Sequence, residues 1–408
     1  MSTIKPFKAL RPPADKAEFV ACVPYDVIYD SEVRELIADN SLSFLRVTRP
    51  EGEYSEAEKP SSETVFERAK QNLEEFIRSG VLVQDDEDAI YVYRLKDGDQ
   101  SQTGVVACCS IAEYDAGLIK KHEKTRPDKV ADRTAHMLAV GAQTGLIFLA
   151  FRNTDDIRGL IADAVTGEPI YHFTCPQNVE QTVWRMVYTD VWVEAFAEHP
   201  ALYVADGHHR VESAKLARDK MREANTHHTG EEEYNFVIAG MFPSEDLNIL
   251  PYNRVVKDLN GLSRDEFFDK IRDYFLLVES IDETPDKRGE MSMYFEGAWY
   301  KLRFKPDHPV KFDAITGLDV SILQNYLLAP VLGIGDPRTD TRIAFVGGAR
   351  GTAELKKMVD SGEAKVAFSM FRTTMDDLFA VSDMGEIMPP KSTWFEPKLK
   401  DGLLIHLI

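Results

Sequence analysis

Four polar residues of different chemistry stand close together in the middle of the chain. They are Asp206, His208, His209 and Arg210, grouped around Gly207. One carboxylate, two imidazoles and a guanidinium can together bind a phosphate or a carboxylate and also move a proton. Each residue alone has an ordinary explanation, because capping aspartates and exposed histidines are common. Their combination indicates a functional site.

The residues on both sides of this cluster predict a strand, a tight turn and a helix. Ala201–Ala205 form a short apolar run typical of a buried strand, and Asp206-Gly207 interrupts it. From Val211 to Met221, apolar residues recur every three or four positions, which is helical amphipathicity. The first amides of a helix lack intrahelical acceptors and carry the positive end of its dipole. This turn is therefore suited to an anion.

A second polar patch, residues 119–133, concentrates cations in a chain that is acidic overall. A guanidinium can bind phosphate through two hydrogen bonds, so Arg126 and Arg133 are candidate phosphate ligands. The pair His122-Glu123 offers an acid or a base beside them. The alternative is a solvated loop, because a run of charged residues usually forms a solvent-exposed segment with no further role. We favour a function because an adjacent apolar strand, Leu146–Phe151, would anchor the loop on a sheet.

The third polar segment lies near the carboxyl terminus, where Lys391, Ser392 and Thr393 follow two prolines. One ammonium group and two hydroxyls can bind phosphate oxygens. The Gly-x-x-x-x-Gly of a Walker loop does not precede them, and the sequence has no G-x-G-x-x-G, H-E-x-x-H or G-x-S-x-G motif. Nothing in the sequence indicates NAD, flavin, haem or structural zinc.

Metal binding has little support from residue spacing. His208 and His209 are adjacent and so point about 100° apart on a helix, which prevents chelation from one face. No metal motif is present, and Asp206 is the candidate ligand for Mg²⁺. An Mg²⁺ ion held mainly by phosphates would leave little trace in the protein sequence.

Length and composition limit the classes of function. A chain of 408 residues exceeds one compact core, and we expect domains at 1–255 and 256–408. The net charge of −20 disfavours nucleic acid and requires a local cluster to hold a small anionic substrate. We expect no secretory signal and no membrane span. The four cysteines form no C-x-x-C pair, which suits a reducing cytoplasm.

Strand and helix patterns alternate along the chain, which predicts an α/β (α+β) fold. We expect a hairpin from Ala89–Leu95 and Gly104–Ile111, and a buried strand at Phe236–Phe242. Phe44–Thr48 is interpreted as a strand, and Glu180–Ala197 as one long helix. The oligomeric state stays open at this point.

Several motifs, in order along nearly the whole chain, resemble a large prokaryotic family known as a domain of unknown function. The segments that carry the resemblance are 6–12 (PFKALRP), 23–28 (VPYDVI), 122–125 (HEKT), 132–133 (DR), 205–210 (ADGHHR) and 389–393 (PPKST). Asn253 departs from the pattern, because the family is expected to have histidine before Arg254. The resemblance implies no settled activity.

A more distant resemblance is to the ParB and sulfiredoxin-like fold, which includes free-serine kinases with an Asp-Gly-His-x-Arg turn at the nucleotide phosphates. The matching residues here are Asp206-Gly207-His208-His209-Arg210. The resemblance implies a mixed-sheet core and a second α+β domain at the carboxyl terminus. It also implies an upstream glutamate that acts as base on the serine hydroxyl, and Glu123 is the best candidate by chemistry.

These observations lead to the hypothesis that the protein is a phosphoryl-transfer enzyme. The acceptor would be a small hydroxylated metabolite, with serine as the leading candidate, and the donor would be ATP or ADP with Mg²⁺. Arg210, Lys391 and the first amides of the helix would bind phosphate oxygens, and a histidine of the turn would contact the transferred group. Two alternatives use the same groups. One is a phosphohydrolase, for example of phosphoserine, and the other is a non-catalytic protein that binds a nucleotide or metabolite.

Overall fold

The structure is a computed structural model that describes residues 2–55, 57, 58, 60–305 and 312–408. Its strands are β1 (Ile4–Lys5), β2 (Leu10–Arg11), β3 (Val83–Gln84), β4 (Ile90–Asp97), β5 (Gln100–Ser110), β6 (Ile119–Lys120), β7 (Ala142–Gln143), β8 (Ile147–Phe151), β9 (Tyr171–Thr174), β10 (Glu180–Met186), β11 (Leu202–Asp206), β12 (Phe236–Pro243), β13 (Asn248–Leu250), β14 (Tyr252–Val256), β15 (Phe275–Ser280), β16 (Glu290–Phe295), β17 (Ala298–Phe304), β18 (Ile343–Gly347), β19 (Val366–Met370), β20 (Trp394–Glu396) and β21 (His406–Leu407).

The α-helices are distributed along the whole chain and alternate with the strands. They are α1 (Ala17–Val20), α2 (Asp30–Asp39), α3 (Leu45–Thr48), α4 (Ser62–Arg78), α5 (Ile111–Asp115), α6 (Pro127–Val140), α7 (Asp155–Ala164), α8 (Asp190–Ala197), α9 (His208–Ala224), α10 (Arg264–Tyr274), α11 (Asp319–Leu323), α12 (Gly351–Asp360) and α13 (Met375–Asp383). Among the described residues, no helix is both long and apolar enough to cross a membrane.

The chain forms two compact units. The large unit comprises Met1–Lys121, Thr125–Leu247 and Pro397–Ile408, and the small unit comprises His122–Lys124 and Asn248–Glu396. The last twelve residues therefore belong to the unit that begins the chain, because they pair with its backbone at Cys22 and at Gln143. The division at residues 255 and 256 stays a prediction.

The large unit is built on a mixed sheet. Within the described residues its order is β6-β11-β8-β12-β5-β4-β10-β9, and β1 also pairs with β5. β6 and β11 are parallel, as are β8 and β12, and the other pairs are antiparallel. The strands of the central part are buried on both faces, so they are almost continuously apolar, as in Ile147–Phe151. α9 packs on this sheet through Val211, Ala214 and Ala217.

The small unit is built on a sheet with the order β15-β17-β16-β19-β14-β18, in which every pair is antiparallel. A separate pair, β13 and β20, brings Trp394–Glu396 beside Asn248–Leu250. Helix α12 covers one face through Leu355. Together the two units confirm the α+β fold predicted from the sequence.

Two local predictions are wrong. Residues 45–48 form the one-turn helix α3 and not a strand, because side chains and not a neighbouring strand satisfy its carbonyls. The carbonyls of Arg46, Val47 and Thr48 accept hydrogen bonds from Asn72 Nδ2, His136 Nε2 and Arg133 Nη1, respectively. The β-prone composition was therefore outweighed by tertiary contacts.

The long helix predicted from Glu180 to Ala197 is in fact the strand β10 followed by the shorter helix α8. Thr182, Val183 and Trp184 are strand-forming residues that pair with β4 on one side, and Thr182 and Val183 also pair with β9 on the other. Pairing with a strand on each side therefore outweighs the helical spacing of apolar residues on which the prediction for 180–197 was based. The hairpin β4–β5 and the strand β12 are confirmed.

Candidate functional site

The turn between β11 and α9 has the backbone geometry that its sequence predicts. Gly207 adopts φ 93° and ψ 27°, in the left-handed region that glycine occupies at little cost. Its carbonyl accepts the backbone N–H of Arg210 at 2.9 Å and of Val211 at 3.1 Å, which begins the helix. The pairing of β11 with β8 shifts register between Val204 and Asp206, and such a bulge re-aims the side chains beside it.

Asp206 closes this turn from the strand side. Its Oδ1 accepts the Gly207 N–H at 2.9 Å, and its Oδ2 lies 2.6 Å from Nζ of Lys398. Burial alone would raise the pKa of Asp206, but the positive charges of Lys398 and Arg210 outweigh it and hold that pKa well below its usual range. Asp206 is therefore an anion bound to a lysine.

Arg210 turns its guanidinium into the large unit. Nη1 donates to the carbonyl of Leu146 at 2.6 Å, and Nη2 lies 3.4 Å from Oδ1 of Asp26. The guanidinium carbon lies 5.5 Å from the centre of the Tyr25 ring, a cation–π distance. Burial would lower the pKa of Arg210, but Asp401 and Asp26 raise it above its ordinary value. Arg210 is thus a fixed cation.

Asp401 is the acidic group buried beside Arg210. The residue is 2 % exposed, and its Oδ1 has no hydrogen-bond partner among the described residues. Burial, reinforced by the negative charge of Asp26 and opposed by the positive charge of Arg210, raises the pKa of Asp401 to about 7. The protonation of this carboxyl therefore changes near neutral pH.

The basic patch contributes two of its predicted residues to the same unit. The backbone N–H of Arg126 donates to Nε2 of His209 at 3.0 Å, although the guanidinium of Arg126 pairs with Asp128 at the surface. The guanidinium carbon of Arg133 lies 4.6 Å from the centre of the Tyr25 ring. Arg133 and Arg210 therefore share one aromatic ring, and the basic patch reaches the β11–α9 turn.

Five other predicted residues belong to the small unit, namely His122, Glu123, Lys391, Ser392 and Thr393. Nε2 of His122 lies 3.2 Å from Oγ1 of Thr393, and the His122 carbonyl accepts the backbone N–H of Met388. Glu123 follows His122 in the same short piece of this unit. Segment 388–393 and the pair His122-Glu123, which are far apart in sequence, are thereby brought together.

Lys391, Ser392 and Thr393 form an internally bonded loop. Lys391 has a positive φ of 58°, and its Nζ lies 5.5 Å from the centre of the Tyr252 ring. The Ser392 hydroxyl donates to the carbonyl of Pro389 at 2.7 Å, so this hydroxyl is engaged within the loop. The buried Arg254 donates to the Lys391 carbonyl. These contacts are those of a loop held in one conformation.

Asn253, which departs from the expected family pattern, has a structural contact in this unit. It is 2 % exposed, and its Oδ1 accepts the backbone N–H of Met370 at 3.0 Å. The amide therefore ties β14 to β19.

Two site residues were missed in the sequence, Lys398 and Asp401. Both stand in a short C-terminal segment whose flanking residues Leu399 and Leu403 are apolar, and no motif surrounds them. The local sequence around Lys398 does not indicate its partner Asp206, which lies about 190 residues earlier in the chain. Tyr25 and Asp26 stand in the 23–28 motif, and that motif was the available signal for them.

The donor set around Asp206 does not suit a metal ion. One oxygen is bonded to the Gly207 amide and the other to the Lys398 ammonium, whose charge repels a cation. An Mg²⁺ ion that enters with a nucleotide would accordingly be held through phosphates and water, as is common for this ion.

Comparisons with solved structures give low structural similarity. A mutant free serine kinase in complex with AMP is 12% identical, with a TM-score of 0.37 over 74% of this chain and 92% of that chain. SbnI with a C-terminal truncation, from Staphylococcus aureus, is 13% identical, with a TM-score of 0.41 over 74% of this chain and 87% of that one. A conserved hypothetical protein from Pyrococcus furiosus is 11% identical, with a TM-score of 0.36 over 74% and 95% of the two chains.

No curated protein matches the sequence. The pattern of one family, described as "Protein of unknown function (DUF1015)", matches residues 4–321. That range contains the β11–α9 turn and the basic patch but ends before Lys391 and Lys398. Since the match covers most of the chain, this protein belongs to the DUF1015 family.

Proposed function

We propose that this protein transfers a phosphoryl group from ATP or ADP to a small hydroxylated metabolite, with free serine as the leading acceptor. The observation that carries the proposal is the β11–α9 turn. There a glycine-led helix start lies beside the fixed cation Arg210 and the Asp206–Lys398 pair, in a chain whose net charge is −20. In an acidic protein, a helix start with an arginine and a lysine beside it is suited to a small anion.

Phosphoryl transfer makes a limited demand on a protein. Most of the barrier is lowered by positioning the reactants and by neutralising charge on the phosphate oxygens. Arg210 is ionised and immobilised by three different partners, so little reorganisation is needed when a phosphate arrives. Arg133, His208 and His209 would contribute further contacts around the same turn.

The base that orients the acceptor hydroxyl has two candidates. Glu123 is the one implied by the resemblance to free-serine kinases. Asp26 is favoured by geometry within the large unit, because its carboxylate is 40% exposed and lies 3.4 Å from Arg210. A carboxylate near a phosphate-binding arginine can accept a hydroxyl proton if the acceptor reaches it.

We also propose a ParB and sulfiredoxin-like core within residues 1–255, with a second α+β domain at 256–408. The strand, the Asp-Gly-His-His-Arg turn and helix α9 support the first assignment. A cytoplasmic location is supported by the cysteines, since all four are buried free thiols, as is usual in a reducing compartment. The net negative charge disfavours a nucleic-acid partner.

Phosphorus NMR of the purified protein tests this function. ATP, ADP or phosphoserine is added in turn, with and without serine and Mg²⁺, and the phosphorus signals are followed in time. Loss of donor that depends on serine, with a new phosphomonoester signal, is the expected result. Release of inorganic phosphate without an acceptor would identify a phosphohydrolase instead. Line broadening or shifts without turnover would identify a binding protein.

Two variants tie the outcome to the site. Asp206→Ala and Arg210→Ala should each abolish the serine-dependent loss of donor. Lys220→Ala is the matched control, because Lys220 is an exposed cation on the same helix as Arg210. Full turnover in both site variants would contradict the assignment to this turn.

A further inference from the structure

The C-terminal segment 397–408 is built into the large unit by backbone hydrogen bonds. Asp401 and Cys22 exchange two, at 3.0 and 3.1 Å, and Leu10 and Ile405 exchange two more, at 2.9 and 3.0 Å. Ile408 N–H donates to the Gly141 carbonyl at 3.0 Å. The segment is thus fixed along its length against three separate parts of the unit.

This segment delivers two charged side chains to the candidate site. Nζ of Lys398 lies 2.6 Å from Oδ2 of Asp206, and the two side chains are 13% and 35% exposed, respectively. The carboxylate of Asp401 lies against Gly145, where a Cβ atom would stand only 2.4 Å from its Oδ1. A glycine at position 145 therefore makes room for this carboxylate beside Arg210.

The charges of the segment complement those of the turn. Without Lys398, Asp206 would present an uncompensated negative charge at the helix start where an anion is expected to bind. A buried charge whose partner is removed is costly, and here it would also repel the ligand.

We propose that Lys398, which segment 397–408 brings to the turn, is a working part of the phosphate site, because it neutralises and orients Asp206. Lys398 is a positioning residue. The inference rests on the proposed function in so far as the β11–α9 turn binds phosphate. It goes beyond the proposed function by assigning a residue, Lys398, that the family match at 4–321 does not include.

Titration of the full chain with inorganic phosphate at low salt, followed by phosphorus NMR, tests the inference. Lys398→Met should weaken phosphate binding by about 10- to 100-fold, as expected when one partner of a partly buried charge pair is lost. Lys398→Arg should restore most of the affinity. The double variant Asp206→Asn/Lys398→Met should bind better than Lys398→Met alone, because it removes the uncompensated charge.

Lys400→Met is the control on the same segment. Nζ of Lys400 bonds to the side-chain carbonyl of Gln177 at 2.9 Å, so its loss removes a cation but no carboxylate partner. Its phosphate affinity should stay within about twofold of the wild type. Thermal unfolding of each variant checks that the chain folds.

The outcomes separate the two proposals. If the wild type binds phosphate and Lys398→Met binds equally well, the inference is overturned while the proposed function is untouched. A loss that neither Lys398→Arg nor the double variant recovers indicates a purely structural role and also overturns it. If affinity depends on Lys398 but no donor is ever consumed, the inference stands and phosphoryl transfer fails. If no form binds phosphate, the turn is not an anion site and the inference falls.

Discussion

The backbone N–H of Arg126 donates a hydrogen bond to Nε2 of His209 at 3.0 Å, across 83 residues of sequence. Because an N–H can only donate, Nε2 must be the acceptor, and the proton of the neutral ring is on Nδ1. The helix that starts at the turn is thereby tied to the loop that precedes α6. This imidazole can therefore donate a hydrogen bond to a ligand at the turn only through Nδ1.

His209→Phe removes this acceptor while keeping a ring of similar size. The loop before α6 should loosen, and the amide hydrogen of Arg126 should exchange with solvent about tenfold faster, the equivalent of one hydrogen bond. Hydrogen exchange followed by NMR or mass spectrometry measures the rate. His227→Phe, in an exposed loop, should leave it unchanged. Equal exchange in both variants would show that the bond does not hold the loop.

Arg210→Lys keeps the positive charge but loses the planar fork. An ammonium cannot bond the Leu146 carbonyl, approach Asp26 and lie over the Tyr25 ring in the same way. We expect phosphate or ADP affinity to fall about 10- to 100-fold, since bonds to charged groups contribute about 1.5–3 kcal/mol. Calorimetric titration measures the affinity. A lysine variant that binds as the wild type does would mean that charge alone matters.

Gly207→Ala tests the backbone of the turn. At φ 93° an alanine is strained, although its Cβ would meet nothing closer than Ile147 Cγ2 at 3.4 Å. The variant should lower the free energy of unfolding by about 1–3 kcal/mol. Gly159→Ala is the matched control within α7, where no atom lies within 4 Å of the added Cβ. That change should raise the stability by about 0.5–1 kcal/mol. Urea unfolding compares the two, and equal effects would contradict the strain.

Asp401→Asn should alter the pH dependence of stability. Burial raises the pKa of Asp401 to about 7, so from pH 4 to 7 the folded protein keeps a proton that the unfolded chain loses. The free energy of unfolding therefore falls as pH rises through this window, by up to about 1.4 kcal/mol per pH unit from this group. An asparagine at position 401 does not titrate, so it adds no such pH dependence to the free energy of unfolding. The variant should gain stability relative to the wild type between pH 4 and 7, with a constant difference above pH 8, as measured by unfolding at each pH. Parallel curves would contradict a raised pKa.

Glu123→Gln and Asp26→Asn decide which carboxylate acts as the base. Each change removes the negative charge with little change in shape. The variant of the true base should lose about 100- to 10,000-fold of the rate of acceptor-dependent transfer, the usual effect of removing a general base. The other should keep most of it. The rate of phosphomonoester formation measures both, and Glu67→Gln on the exposed part of α4 is a control. Unchanged rates in both variants would remove both candidates.

Local sequence was sufficient for the elements whose periodicity and turn chemistry agree. The strand, Gly207 and helix α9 could be predicted because an apolar run, a glycine and a helical repeat follow one another directly. The hairpin β4–β5 followed from two apolar strands around Gly98. The site was predicted only where its residues are neighbours in sequence, from Asp206 to Arg210.

Tertiary structure decided everything that depends on distant partners. Residues 180–186 became a strand because β4 and β9 lie on either side, which the local helical spacing could not reveal. Lys398 became the partner of Asp206, and Asp401 a neighbour of Arg210, because the chain returns to the large unit after the whole small unit. A charge has no preferred partner until folding fixes distances and excludes water. The sequence therefore determined which residues could do chemistry, and the fold determined which of them are neutralised, buried and held together.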